Sequence, residues 1–290
     1  MKFTKMQGAG NDFIVVETGD MQRGWSSVAR AMCDRHYGIG ADGLLLLLPS
    51  SVANFRMRIF NADGSESSVC GNGLRCLVKH FVDKNSSGSE LTELSKEISV
   101  ETINGIRKAR VYKKTREAVI IQTAMGEPGI GIKNTPVVHV EREGEIFDIK
   151  SKMEYTIKVG EEELNVNLVS MGNPHAVYFY QGPVSDFPMS RLGPEVEQNE
   201  AFPDRINFEI ARVIGRDKIE ARVWEQGVGE TLACGSGACA ITVAARLLGY
   251  TDASVEVKLT GGILEVEWVK DGEVYLSGPA ETVFSGEWPD

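Results

Sequence analysis

Two cysteines occupy near-identical settings. Cys70 opens Cys70-Gly71-Asn72-Gly73 and Cys234 opens Cys234-Gly235-Ser236-Gly237, each ahead of a run with helical spacing. An aromatic residue stands ten positions earlier in both cases (Phe60, Trp224), and a glutamate stands four positions earlier (Glu66, Glu230). A free thiol titrates at about 8.5, and the unpaired N–H groups of a helix N-terminus favour its thiolate. The neighbouring glycines let backbone amides approach a sulfur or a bound carboxylate without a Cβ in the way. Two matched thiols, one per half, suit a reaction that needs an acid and a base of one kind on opposite faces of one atom. Inversion at a carbon centre is such a reaction.

The repetition extends beyond the cysteines. Gly10-Asn11-Asp12-Phe13 and Gly172-Asn173-Pro174-His175 each lead into an apolar run. Asn11 stands 59 residues before Cys70, and Asn173 stands 61 before Cys234. Asn104-Gly105-Ile106 and Gly261-Gly262-Ile263 each separate two strand-like runs. This is one long duplication, not a short-period solenoid. Against that background His175 stands where the first repeat has Phe13, and Glu225 stands where it has Asn61. Two titratable groups added beside one cysteine setting point to tuning of the thiols.

The other cysteines read differently. Cys33, Cys76 and Cys239 lie inside helical runs, where an inert buried thiol is expected. Cys70 and Cys76, or Cys234 and Cys239, would project about 120° to 140° apart on a helix, so neither pair has zinc spacing. No metal site is expected. Gly38-Ile39-Gly40-Ala41-Asp42-Gly43 satisfies G-x-G-x-x-G, but it follows a helix and precedes a strand. That is the reverse of the dinucleotide-binding order, so it reads as a helix stop and tight turn.

The elements that must position these residues are mostly strands. Alternation marks Asn54–Ile59, Lys218–Val223 and Ile263–Trp268, with further candidates at 99–102, 108–112, 118–123 and 255–259. Helices are few. One is expected over Ser27–Arg35 with a serine cap. Leu74, Leu77, Val78 and Phe81 form an amphipathic stripe, which Ile241, Ala244, Ala245 and Leu248 repeat before Gly249. The expected class is α+β, with two pseudo-symmetric halves. Each is a mostly antiparallel, curved sheet around a central helix, with the active site in the cleft between them. The halves are 1–131 and 132–276, with a C-terminal strand, 277–290, returning to the first. Asn85–Ser95 reads as a surface loop and Gly126–Pro136 as a linker.

With 290 residues, 42% hydrophobic and 25% charged, the chain has an ordinary globular composition. A net charge of −10 argues against a nucleic-acid-tracking surface. Leu44–Leu48 is too short to span a membrane, and no secretory leader is expected. Five cysteines without a framework pattern suit a reducing cytoplasm. Oligomeric state is left open, a homodimer included.

Taken together, Gly8–Phe13, Phe60–Arg75, Met171–His175, Arg205-Ile206-Asn207, Glu225 and Gly229–Ala240 resemble the diaminopimelate epimerase family of lysine and cell-wall precursor synthesis. The resemblance implies a cofactor-independent isomerase acting on a small amino-acid substrate, LL-diaminopimelate giving the meso form. Cys70 and Cys234 would be its acid–base pair, with His175 and Glu225 modulating the thiols. Asn11, Asn61, Asn173 and Asn207 would hold the substrate's amino and carboxylate groups. Gly71-Asn72 and Gly235-Ser236 would present amides to its α-carboxylate. Glu225 and Gln226 would also contact substrate. Gln226 departs from the family, which commonly has an arginine there for the distal carboxylate; a neutral amide cannot form that bidentate charged pair. This leaves two rivals. One is a racemase of another amino acid on the same fold, which proline racemases and hydroxyproline epimerases share. The other is a redox sensor in which Cys70 and Cys234 form a disulfide.

Overall fold

The computed structural model describes residues 1–67, 70–85, 97–114, 119–131, 134–135, 153–269 and 271–289. It divides into two compact units, Met1–Ala124 with Ser277–Asp290, and Met125–Leu276. The expected surface loop lies outside the described residues after Asn85.

The first unit contains β1 (Lys2–Gly8), β2 (Asn11–Glu17), α1 (Trp25–Cys33), β3 (Gly43–Leu48), β4 (Phe55–Asn61), β5 (Glu66–Ser67), α2 (Gly71–Asn85), β6 (Ile98–Thr102), β7 (Gly105–Lys114) and β8 (Val119–Gly126). The second contains β9 (Gly129–Ile130), β10 (Glu154–Val159), β11 (Glu162–Ser170), β12 (Pro174–Phe179), α3 (Met189–Glu197), β13 (Asn207–Gly215), β14 (Lys218–Glu225), β15 (Gly229–Thr231), α4 (Gly235–Leu247), β16 (Ser254–Leu259) and β17 (Gly262–Trp268). The last strand, β18 (Val274–Glu287), pairs antiparallel with β1 through Glu281–Glu287.

The strand pairings reproduce the duplication. In the first unit β1/β2 is antiparallel, β2/β3 parallel, β3/β4 and β4/β5 antiparallel, β4/β6 parallel and β6/β7 antiparallel. In the second, β11/β12, β12/β13, β13/β14, β14/β15, β14/β16 and β16/β17 repeat that sequence of senses. Within each unit the pairing is therefore mostly antiparallel, with two parallel pairs. The parallel pairs follow from crossovers through helices or long loops, which antiparallel hairpins do not need.

The leucine run of β3 shows why these residues form a strand covered on both faces. Leu44, Leu46 and Leu48 pack with Trp25, Ala29 and Met32 of α1, whereas Leu45 and Leu47 pack with Leu74, Leu77 and Val78 of α2. In the second unit Met189, Leu192 and Val196 of α3 pack on Leu168, Ala176, Phe208 and Ile210. Residues Gly235–Ala245 of α4 are all buried, and Gly249, at φ +76°, follows its end.

Three local features differ from expectation. The first helix begins at Trp25, without a serine side-chain cap. Trp25 is buried and its indole N–H donates to Asp20 O, while Ser26 Oγ donates to Gly64 O instead of capping. Gly129 and Ile130, inside the expected linker, pair with Ser170 and Val169. Helix α3 was not anticipated, because Gly193 and an internal Pro194 disguise it. The Gly38–Gly43 segment is a tight turn. Gly38 N donates to Asp34 O, and a Cβ on Gly38 would fall 2.2 Å from Ala31 O.

Candidate active site

The candidate residues form two groups, one in each unit. In the first, Cys70 precedes α2 and accepts from Gly73 N–H at 3.2 Å through Sγ. Its carbonyl accepts from Leu74 N–H at 2.9 Å, so the sulfur sits at the first turn of the helix. Asn11, at the start of β2, places Oδ1 3.9 Å from Cys70 Sγ and accepts from Asn72 Nδ2 at 3.2 Å. Asn72 in turn accepts from buried Arg75 at 2.7 Å, whose Nε donates to Pro279 O.

Behind Asn11 lies an ionic network that the motif reading did not include. Asn11 Nδ2 donates to Asp42 at 2.6 Å, and Arg35 bridges Asp42 and Asp12 at 2.7 Å each. Lys5 completes it, donating to Asp12 at 2.5 Å and to the carbonyl of Gly40. Burial pushes the Asp12 carboxyl up, but hydrogen bonds from Arg35 and Lys5 outweigh it and bring its pKa down to about 2. Asn61 is exposed at the end of β4 and donates to Ser65 Oγ at 3.0 Å. Strand register sets it opposite Gly43, itself opposite Phe13.

In the second unit Cys234 is buried and immediately precedes α4. Its sulfur lies 3.5 Å from Ser236 Oγ. The N–H groups of Gly235 and Ser236, in the first turn, meet no acceptor among the described residues. Glu225, at the end of β14, accepts from Thr231 Oγ1 at 2.5 Å and lies near enough to Cys234 to act on its thiol. Burial and the nearby Glu225 carboxylate push the Cys234 thiol well above its ordinary range, against hydrogen bonds from Ser236 and Gly237. Burial likewise raises the Glu225 carboxyl, against its hydrogen bond from Thr231. The helix start alone therefore does not ionise this thiol; desolvation wins.

Asn173 donates to Ser236 Oγ at 3.4 Å and accepts from His175 Nε2 at 3.1 Å. Fully buried His175 pairs through Nδ1 with Glu209 Oε1 at 2.6 Å. Asn207, opposite His175 in the β12/β13 register, donates to Pro174 O and accepts from Gln226 N–H at 3.0 Å. The Gln226 side chain is turned to the backbone, donating to Asp204 O at 2.5 Å. Buried Glu197 of α3 holds the same turn, accepting from Trp224 Nε1 and Gly227 N–H at 2.8 Å each, and from Arg205 at 3.4 Å.

Within the second unit the structure thus joins Cys234, Ser236, Asn173, His175 and Glu225. In the first it joins Cys70, Asn11 and Asn72, while Asn61 makes its contact within its own turn. Glu209, Glu197, Thr231, Arg75 and the Lys5–Asp12–Arg35–Asp42 network were missed by sequence reading. Only Glu209 carried a signal, as a charged residue in an otherwise apolar strand run, Phe208–Ala211. Among the described residues no group of three or more His, Cys, Asp and Glu side chains could hold a metal ion, and no helix is long and apolar enough to cross a membrane.

Relatives match this chain over nearly its whole length. A diaminopimelate epimerase of Acetivibrio thermocellus is 43% identical over 289 residues, covering 99% of this chain and 98% of that protein. One from Heliobacterium modesticaldum is 41% identical over 295 residues and covers 100% of both. Among solved structures, a hydroxyproline epimerase from Agrobacterium vitis with bound trans-4-hydroxy-L-proline aligns with a TM-score of 0.66 at 13% identity, covering 99% of this chain and 90% of that one. At that identity the likeness speaks for the fold alone. The family model for diaminopimelate epimerase matches residues 3–130 and 167–283, which include both cysteine half-sites. On this match and on those full-length identities, the chain belongs to the diaminopimelate epimerase family.

Proposed function

We propose that this protein is an isomerase that interconverts LL- and meso-diaminopimelate, serving lysine and peptidoglycan precursor synthesis, with Cys70 and Cys234 as its acid and base. The observation that carries the reading is the matched pair of thiols, each at the first turn of an equivalent helix, in a chain of this family. Burial and the nearby Glu225 favour the thiol form of Cys234, which supports its serving as the proton donor in one direction. Cys70 is then the base that removes the α-proton, and the roles exchange in the reverse direction. The α-carboxylate takes the amides of Gly71-Asn72 and Gly235-Ser236, which stabilise charge as the carbanion develops. Asn11, Asn61, Asn173 and Asn207 bind the amino and carboxylate groups. They are neutral and perturb the thiols less than ions would. His175 and Glu225 tune the thiols. A reaction that requires two reduced cysteines suits the cytoplasm.

Gln226 favours a second reading, a racemase of another amino acid. Its side chain is committed to Asp204 O and provides no cation. Arg205, bonded to Glu197 at the same turn, supplies positive charge there and supports the diaminopimelate reading. The deciding experiment is α-proton exchange in D₂O, followed by NMR, with reduced enzyme and a panel of amino acids. Exchange with inversion of diaminopimelate alone is expected. Exchange with another amino acid instead would establish the second reading, and exchange with none would remove both.

A further inference from the structure

The two repeats differ in what lies beneath their cysteine-bearing helices. A Cβ on Gly73 would fall 2.9 Å from Leu45 Cδ2, and a Cβ on Gly237 would fall 2.9 Å from Glu209 Oε1. Register makes these positions equivalent. Phe13 pairs with Gly43, two residues before Leu45, and His175 pairs with Asn207, two residues before Glu209. The apolar Phe13–Leu45 pair of the first repeat has thus become a His175–Glu209 pair in the second, with both side chains 0% exposed.

The hydrogen bonds determine how many protons this pair holds. Asn173 donates through Nδ2 to Ser236, so its Oδ1 faces His175 Nε2, and Nε2 must carry a hydrogen. One further proton then lies between Nδ1 and Glu209 Oε1, 2.6 Å apart. The pair is neutral overall, whichever atom holds that proton. Neutrality agrees with the surroundings, because Glu209 Oε2 is buried without a hydrogen-bond partner. A full carboxylate charge left so is strongly disfavoured. Contacts then run from Glu209 through His175, Asn173 and Ser236 to the Cys234 sulfur.

We propose that Glu209 is a positioning residue for Cys234: with His175 it forms a buried, net-neutral dyad that holds Asn173 and Ser236 in place and so sets the ionisation of this thiol. This rests on the assignment of Cys234 as an acid–base residue. The titratable groups facing Cys234 in its unit are Glu225 from β14 and Glu209 from β13, while His175 from β12 faces both glutamates. Without its Glu209 partner, His175 is free to carry its hydrogen on Nδ1. Its Nε2 lone pair would then oppose Asn173 Oδ1, and Ser236 would lose its orientation toward the sulfur.

The test uses ligand-free, reduced enzyme and needs no turnover. Alkylation rates of the Cys70 and Cys234 peptides are measured by mass spectrometry across pH for wild type, Glu209→Gln, Glu209→Leu and the double variant H175F/E209L, which copies the pair of the first repeat. Glu209→Leu and H175F/E209L should move the Cys234 midpoint upward by about one pH unit, slowing its alkylation about tenfold below that midpoint. Glu209→Gln keeps a neutral partner for Nδ1 and should stay near wild type. In parallel, kcat should fall about tenfold or more in Glu209→Leu with a smaller change in KM. A downward shift in Glu209→Leu, or a Glu209→Gln as altered as Glu209→Leu, would show that Glu209 acts as a bare anion and overturn the neutral dyad. An unmoved Cys234 profile in folded H175F/E209L would reduce the pair to packing. Failure of the proposed reaction would instead appear as absent α-proton exchange in wild type.

Discussion

Trp224 Nε1 donates to Glu197 Oε2 over 2.8 Å, tying α3 to the strand that ends in Glu225. The other oxygen of Glu197 takes Gly227 N–H, so one buried carboxylate fixes both sides of the Glu225-Gln226 turn. The first repeat holds its equivalent turn differently, through Ser26 Oγ to Gly64 O and Arg30 to Asp63 O. Glu197→Ala should therefore cost about 3 kcal/mol of stability in urea unfolding, since it leaves an indole N–H and an amide without their charged acceptor. It should also lower kcat/KM by displacing Glu225. Unchanged kcat/KM in the folded variant would show that the turn holds itself.

Substitution of either cysteine should act on chemistry and spare the fold. Cys70→Ser and Cys234→Ser are each expected to lose about 10²- to 10⁴-fold in kcat for epimerisation, since a hydroxyl is a far weaker acid–base group. NMR detection of inversion gives the rate, and circular dichroism checks the fold. Full activity in either variant would remove that cysteine from the mechanism.

Arg205 is the cation at the turn where Gln226 stands, and its backbone is held at φ +62°. If it serves the distal carboxylate, Arg205→Gln should raise KM for diaminopimelate about tenfold or more with little change in kcat, the loss of a charged hydrogen bond of about 1.5–3 kcal/mol. Steady-state kinetics with diaminopimelate separates the two parameters. An unchanged KM would exclude Arg205 from substrate binding.

Cys76 is fully buried, and burial pushes its thiol up to about 12, well above the ordinary thiol range. The folded state therefore keeps a proton that the unfolded chain releases above about pH 9. With the folded pKa raised, the contribution is fully present below the unfolded value and is lost as pH rises toward 12. Wild-type stability should fall in that window by about 1.4 kcal/mol per pH unit from this thiol. Cys76→Ala should lose that part of the slope, whatever its absolute stability. Urea titrations at pH 8, 9, 10 and 11 on both proteins make the comparison, and parallel slopes would refute it.

At the acid end Asp12 behaves oppositely. Its folded pKa, about 2, lies below the ordinary 3.8, so its contribution is present above 3.8 and is lost as pH falls toward 2. Asp12→Asn should narrow the difference in stability between pH 5 and pH 3. It should also raise KM, because Asp12 and Asp42 share Arg35 and Asp42 holds Asn11. An unaltered acid limb in thermal unfolding would assign that limb to other carboxylates.

The cysteine settings, the duplication and the two buried helices were legible in the chain because each depends on residues close in sequence. A helix start needs only its own first turn, a glycine acts through its missing Cβ, and an apolar stripe shows its period directly. The departures His175 and Glu225 were visible as differences between aligned repeats. The identity of their partners was not. Glu209 meets His175 across 34 residues, Glu197 meets Gly227 across 30, and Arg75 reaches Pro279 across 204. The first pairing depends on strand register, where a shift of one residue turns every side chain to the other face, and the other two on where α3 and α2 pack. The tendency of a helix start to favour a thiolate was also readable, but its defeat at Cys234 was not, because desolvation depends on how completely the folded chain closes over the sulfur. The sequence by itself thus determined which residue types stand ready for proton transfer. Tertiary packing decided their protonation and the groups that steady them, since both arise from contacts between distant segments.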